Sequence, residues 1–432
     1  MIRSTRLVTW SAITASVLLF ASGAAWAEPR TLEIWSQYAP GTANTRERAF
    51  AYVLDSFRAK NPDVEVKITT LSWQQMSPTL LRSVKAGKVP DMAMLYSPNM
   101  QQHIQAKTIL PLTEQMKEMS EADRNDIVRL PQAEDANGVI YGLPWELRVS
   151  GLAMRGDLLK KIGREPPKTL ADWSDAAAAA ALSAGGDVVG LSLNFSPEGS
   201  SIAGGWFVTT LVGMGAKVLN DDGTAAFDSP QAEKLVTWVR DQVQLRKPPV
   251  LPLDVALLDL DKGQDFFISG KAVFLPTATQ RFALIQDKTA FGADLDMVAY
   301  PTDDPNISAP ALVQSWSLVI PRGAKNTDLA WKLMEHWTST AVQVEQTKIA
   351  GYVPTRASAL NDPYFAKSEA KTIRWALDHA SRHPLHFTFP TNTEAFYDTI
   401  ARMFGLVVSN KMSPKEALQW ANKEYNRVTR RS

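Results

Sequence analysis

The chain has 432 residues, 46 Lys and Arg against 45 Asp and Glu, 13 Trp and no Cys. That length exceeds what one hydrophobic core usually serves, so two domains or lobes are expected. The balanced charge leaves no footprint for nucleic acid or an anionic membrane surface, and the missing cysteine excludes disulfides, thiol nucleophiles, cysteine metal sites and a lipid-modified cysteine.

Residues 1–27 open with Arg3 and Arg6, continue through an apolar run over 7–20 and end in Ala25, Trp26 and Ala27. This is the order of a cleavable export signal. A membrane anchor fits less well, because Ser11, Thr14 and Ser16 dilute the run and no basic cluster follows it. Without the two arginines of the signal the mature chain holds 44 basic and 45 acidic residues. An exported protein with no cysteine to acylate is expected to move freely in a periplasm.

Residues 31–35 (TLEIW), 64–69 (VEVKIT) and 91–96 (DMAMLY) read as strands, and 46–60 and 74–86 between them have helical apolar spacing. Strand and helix in alternation imply a parallel sheet with crossover helices. Ligands of such open sheets sit at the carboxyl ends of the strands. Residues 35–38, Trp73 with Gln74, and residues 96–99 should therefore meet on one rim.

Farther along, Asn137-Gly138 is a turn, 139–143 a short strand, and Pro144 begins a new extended segment. The helix expected over 170–183 contains six consecutive alanines, a packing feature with high helix propensity. Another helix is expected over 230–245, then a strand over 272–275 feeding a polar turn at 276–280. Strands at 297–300 and 317–320, a helix at 328–338 and a helical pattern from 371 onward complete the reading.

Enzyme signatures are sparse. The P-loop, dinucleotide and HExxH zinc motifs are missing. No GxSxG elbow occurs either, and Gly199-Ser200-Ser201 reads as a loop. His379, His383 and His386 have irregular spacing and no acidic partner beside them, which favours a solvated loop over a metal site. No metal or cofactor is expected. A glycosidase stays open as a reading, because its two carboxylates come together only in space. Glu146, in PWELR, is its first candidate.

Five segments in order carry a resemblance: the strand ending at Trp35 with its helix and NPDVEV; GKVPDMAML at 87–95; GVIYGLPWELRVSGLAMRGDLLKKIG followed by PPKTLADW; SGKAVFLPTATQ at 269–280; and the stretch from SWSLVIPRGAKNTDLAWKLMEHWTS to GYVPTR. Together they resemble the family 1 extracellular solute-binding proteins of bacterial ABC importers. The resemblance implies an α/β fold of two lobes, type II-like, with three hinge crossings, near 146–150, 300–304 and 349–352. It divides the mature chain into an N-lobe over 28–145 and 301–348 and a C-lobe over 146–300 and 349–432. It implies capture of a mono- or oligosaccharide by hinge closure, delivery to permease subunits in the inner membrane, a monomer, and no catalysis.

The residues that the resemblance places at the ligand are Trp35 and Tyr38 after the first strand, Gln74 in the second rim loop, and Tyr96, Ser97 and Asn99 after the third strand. Trp145, Glu146 and Arg148 lie on the first crossing, Trp206 on the C-lobe, Tyr352 and Arg356 after the last crossing, and Tyr397 at a helix start. Gln280 stands where the family often has an aromatic, and Ser315-Trp316 where it often has paired glycines, which gives the pocket its own shape. Tryptophan faces suit the C–H face of a sugar ring. Arg148 and Arg356 could instead bind an anionic sugar or polyol derivative. The neutral sugar is the first reading and the anionic one the alternative.

Overall fold

The structure, a computed structural model, describes residues 30–197, 200–385 and 387–429. The expected export signal, Gly199 and His386 lie outside the described residues. Among the described residues there are eight strands: β1 (Arg30–Ser36), β2 (Val64–Thr70), β3 (Met92–Tyr96), β4 (Leu143–Arg155), β5 (Val189–Leu191), β6 (Ala272–Ala278), β7 (Leu295–Val298) and β8 (Val313–Val319).

The first lobe grows from the alternating pattern of β1, which buries Leu32, Ile34 and Ser36 on one face. β1 pairs in parallel with β2 and β3, and the helices Thr45–Lys60 and Trp73–Lys85 make the crossovers. Asn44 starts the first helix, its side chain accepting from the backbone N–H of Arg46 and Glu47. β8 returns antiparallel between β3 and β4, giving the order β2-β1-β3-β8-β4. The core under this sheet gathers Leu32, Phe50, Phe57, Trp145, Trp331 and Trp337.

β4 belongs to both lobes. Its first half, from Leu143 to Val149, pairs with β8, and its second half, from Ser150 to Arg155, pairs with β6 on one side and β7 on the other. β5 adds in parallel to β6. The second lobe's core gathers Trp173, Trp206, Phe207, Phe274, Phe396 and Phe404. A smaller cluster, with Leu147, Val149, Val353, Phe365 and Ile373, packs along the shared strand.

Three local expectations change. Residues 139–143 form no separate strand: Ile140 makes one isolated bridge with Glu134, and Pro144 lies inside β4, where the register shifts between Pro144 and Glu146. That irregularity accommodates a residue with no N–H to give to the ladder. Residues 276–280 are no turn, since β6 runs through Pro276 to Ala278 and the helix Thr279–Lys288 follows at once. Pro276 is tolerated because β5 pairs only as far as Phe274, leaving one side of β6 without a partner there. Ser200 and Ser201 open the helix Ser200–Gly213, whose residues from Ala203 to Leu211 are all buried. A helix surrounded by core shows no amphipathic period.

The second crossing also falls later than 300–304, since Tyr300, Ala309 and Leu312 still belong to the second lobe's core before β8 begins at Val313. Near the third crossing, Gly351 ends the helix Thr340–Ala350 in the left-handed region at φ 65°. A Cβ there would lie 2.4 Å from that of Ala283 in the other lobe, so glycine serves both the turn and the close approach.

Candidate ligand-binding site

Two adjoining chambers open between the lobes at the carboxyl ends of β1 and β3, and they share Trp73, Tyr96 and Ser201. The first, of about 80 Å³, is lined by Gln37, Tyr38, Arg46, Arg148, Gln280, Arg281, Gln314 and Trp316 among others. The second, of about 310 Å³, adds Gln74, Asn99, Thr393, Glu394, Tyr397 and Asp398. Both lobes supply walls, as expected where strand ends and crossing segments meet. A larger groove of about 990 Å³ runs between residues 101–106 and 216–223, but its charged residues, Lys217 and Asp221, pair with each other at 2.9 Å.

The chamber walls are tied together by a short polar chain. The Tyr96 hydroxyl donates to Gln314 Oε1 at 2.7 Å, and Gln314 Nε2 donates to the Tyr397 hydroxyl oxygen at 2.9 Å. Gly204 makes room for Tyr397: a Cβ there would come within 2.1 Å of the ring. Tyr96 lies over Trp316 with ring centroids 5.5 Å apart, and the Arg148 guanidinium sits 5.8 Å from each ring centre. Contacts also bridge the lobes directly, Arg46 Nη2 donating to the Gln280 carbonyl at 3.3 Å and Thr393 Oγ1 to the Pro98 carbonyl at 2.7 Å.

Glu146 and Arg148 stand two residues apart on β4 and form a buried ion pair. Burial raises the Glu146 pKa while Arg148 works against that rise. Burial disfavours the Arg148 charge, and Glu146 beside it leaves the pKa raised. Arg281, 14% exposed, pairs with Asp261 at 2.7 Å and accepts destabilisation from burial and from Arg46, so its pKa is lowered. The side-chain Nε of Arg46, Nε2 of Gln37, Oε1 of Gln280 and Nε1 of Trp316 are buried with no hydrogen-bond partner among the described residues. Chemically the pair of chambers offers aromatic faces, amide and hydroxyl groups, and three guanidiniums.

Of the residues expected at the ligand, Tyr38, Gln74, Tyr96, Asn99, Arg148, Gln280, Trp316 and Tyr397 line one chamber or the other. The rest stand elsewhere. Trp35 packs between two clusters of the first lobe. Ser97 is fully buried, its Oγ accepting from the Ser315 N–H at 3.0 Å. Trp145 is 1% exposed, edge-on to Tyr38 and Tyr352, and Tyr352 is equally sealed against it. Glu146 has no exposed surface and sits behind Arg148. Trp206 is enclosed by Trp173, Phe195, Trp238 and Phe404. Arg356 is committed to the frame: its Nε donates to the Thr338 carbonyl at 2.7 Å, and Asp123 and Asp126 pair with it at 3.5 and 3.6 Å.

Sequence reasoning passed over Arg46, Arg281, Gln314 and Ser201, whereas Gln37 lies within the rim expected over 35–38. Arg46 lay hidden as an ordinary polar residue in the first turn of a helix, and Arg281 just past the segment 276–280 that reads as a turn. The one signal available was Arg281 following Gln280 directly after a strand end. Among the described residues no group of three His, Asp or Glu side chains is arranged to hold a metal, and His379 stacks on Trp375 at 5.4 Å.

A profile for a family described as bacterial extracellular solute-binding protein matches residues 53–372. A search of curated protein sequences gives no match. Among solved structures, the GacH receptor of Streptomyces glaucescens, determined unliganded and with acarbose and an acarbose homolog, is 20% identical with a TM-score of 0.76, over 92% of this chain and 98% of that one. Maltose-bound MalE3 of T. maritima is 22% identical with a TM-score of 0.79, over 92% and 99%. An ABC transporter solute-binding protein of Agrobacterium vitis with bound D-mannitol is 19% identical with a TM-score of 0.75, over 93% and 99%. The fold of this chain is therefore the two-lobed fold of these binding proteins.

Proposed function

Because the chain belongs to the bacterial extracellular solute-binding protein family, we propose that it captures a carbohydrate between its lobes and delivers it to the permease of an ABC importer. The observation that carries this reading is the double chamber, in which the faces of Trp73 and Tyr96, the latter backed by Trp316, meet Gln37, Gln280, Gln314 and Asn99. Aromatic faces take the C–H side of a sugar ring and amides take its hydroxyls. Eight of the residues expected from sequence at the ligand are the ones we assign to contact it: Tyr38, Gln74, Tyr96, Asn99, Arg148, Gln280, Trp316 and Tyr397. The relatives with bound acarbose, maltose and mannitol point the same way.

Capture proceeds by closure of the lobes around β4, with Arg46 to Gln280 and Thr393 to Pro98 as contacts of the closed form. The ligand adds contacts to both lobes that only closure completes, so it draws the population toward that form. We take the protein to act as a periplasmic monomer released from an export signal, with no step of catalysis. The glycosidase reading loses its first carboxylate, since Glu146 is sealed behind Arg148. Glu394 and Asp398 do face the second chamber, yet as residues four apart on one helix they share a side. They cannot flank a glycosidic bond from opposite faces, as that chemistry requires.

Isothermal titration of the protein against a panel of neutral and acidic mono- and oligosaccharides tests the proposal. One saturable site, with no product by mass spectrometry, is the expected result. No binding to any carbohydrate overturns it.

A further inference from the structure

We propose that the carbohydrate is an acidic one, with its anionic group seated among Arg46, Arg148 and Arg281 in the smaller chamber and its ring lying over Trp73 and Tyr96 toward the larger. This inference rests on the carbohydrate reading above and narrows its substrate class.

Size separates the tasks of the two chambers. The first, at about 80 Å³, is the tighter of the two and has room for a small group such as a carboxylate, phosphate or sulfate. About 310 Å³ in the second accepts a ring. Trp73 and Tyr96 border both, so one molecule reaches from one into the other.

Charge points to the same division. Among the described residues, three guanidiniums line the smaller chamber and no carboxylate does. Arg148 has Glu146 behind it, and Arg281 has Asp261, whose side chain is 75% exposed and faces solvent. Arg46 pairs with no carboxylate among the described residues. It holds one backbone carbonyl of the opposite lobe at 3.3 Å, and its Nε is buried with no partner among those residues. Arg46 and Arg148 both disfavour the charge on Arg281. Glu146 acts on both Arg148 and Arg46, and Asp261 on Arg281, which leaves three guanidiniums against two carboxylates. Closing the chamber over that excess is costly, and a neutral sugar adds nothing to offset it. An anion does, and it supplies acceptors for the guanidinium N–H groups that the protein leaves open.

Arg46 comes from the first lobe and Arg281 from the second, with Arg148 on the strand that both share. An anion among the three therefore bonds across the closing gap. This gives the charged ligand a larger share in closure than the ring alone has.

The test compares glucose with glucuronate, glucose 6-phosphate and glucose 6-sulfate by titration on the full-length mature protein at two salt concentrations. The ring is constant, so the arms tell a carboxylate from a phosphate or sulfate. At least one anionic probe is expected to bind roughly tenfold or more tighter than glucose, with an advantage that shrinks in high salt. Arg46→Gln and Arg281→Gln, each checked for an unchanged circular dichroism spectrum, should narrow that advantage. Glucose binding as tightly as every anionic probe, or no anionic probe binding at all, overturns the inference. The broader reading is separable: if neutral saccharides of the panel bind and acidic ones do not, only this inference falls, and if no saccharide of either kind binds, both fall.

Discussion

The second lobe's core and the inter-lobe chambers each collect large aromatics, yet they use them in opposite ways. In the core, Trp173 and Trp238 stack 5.1 Å apart and Trp206 closes on both at 6.3 and 6.2 Å. Their faces are spent on one another. In the chambers, Trp73 and Tyr96 keep a face toward the cavity, and Trp316 supports Tyr96 from beneath. The difference lies in position: Trp206 sits in the middle of a helix buried on all sides, whereas Trp73 and Tyr96 stand at a helix start and a strand end that open on the cleft. Residue type alone does not separate a binding aromatic from a packing one.

Truncation should divide the two groups most sharply. Trp206→Ala is expected to lower stability by about 3–5 kcal/mol, from lost burial plus a cavity. Thermal unfolding measures it, and a loss of binding with unchanged melting would erase the distinction drawn here. The same logic of sealing applies to His103, fully buried between Ser77 and Thr108 and depressed by burial to a pKa of about 4. Protonation is then easier in the unfolded chain, at about 6.5, than in the folded one. Its contribution is complete above pH 6.5 and is lost as pH falls toward 4, a change of about 3 kcal/mol. His379, also lowered to about 4 by burial, acts in the same direction. Denaturant melts at pH 7 and pH 5 should show the fall, and His103→Gln should flatten the slope.

On the chamber side, Trp73→Ala should cost about 1 kcal/mol of ligand affinity, roughly a fivefold rise in Kd, while stability shifts by no more than about 0.5 kcal/mol. Titration paired with a melt distinguishes this from the Trp206 result. The smallest effect belongs to Tyr96→Phe, which removes the hydrogen bond to Gln314 and keeps the ring. A loss of about 0.5–1 kcal/mol in affinity is expected. If it exceeds that of Trp73→Ala, the polar chain, and not the aromatic face, dominates the site.

Local periodicity made the first lobe legible: β1, β2, β3 and their two helices alternate cleanly and appear within a residue or two of the expected bounds. The strands holding Pro144 and Pro276 were misread because proline usually marks an end. Only the pairing around them, a register shift in one case and an absent neighbour in the other, shows how each is tolerated. The helix Ser200–Gly213 was invisible for the opposite reason, being apolar on every side. At the site, residues next to strand ends such as Tyr38 and Tyr96 could be found by counting along the chain, and Arg148 through the resemblance that PWELR carries. Arg46 and Arg281 could not, because each reaches the chamber from a helix whose placement depends on how the two lobes pack. Arg356 shows the reverse: its chemistry suits an anion, but its carbonyl and carboxylate partners come from distant segments that sequence cannot bring near.

β4 has a mechanical consequence. A strand laced into one sheet through Val149 and into another from Ser150 works as a torsion bar with almost no free length between its clamps. Arg148 is mounted at that clamp point, two residues from the changeover. Any twist that swings one lobe against the other also turns the guanidinium and its carboxylate backing, so a residue we propose to grip the cargo stands among the few that bend.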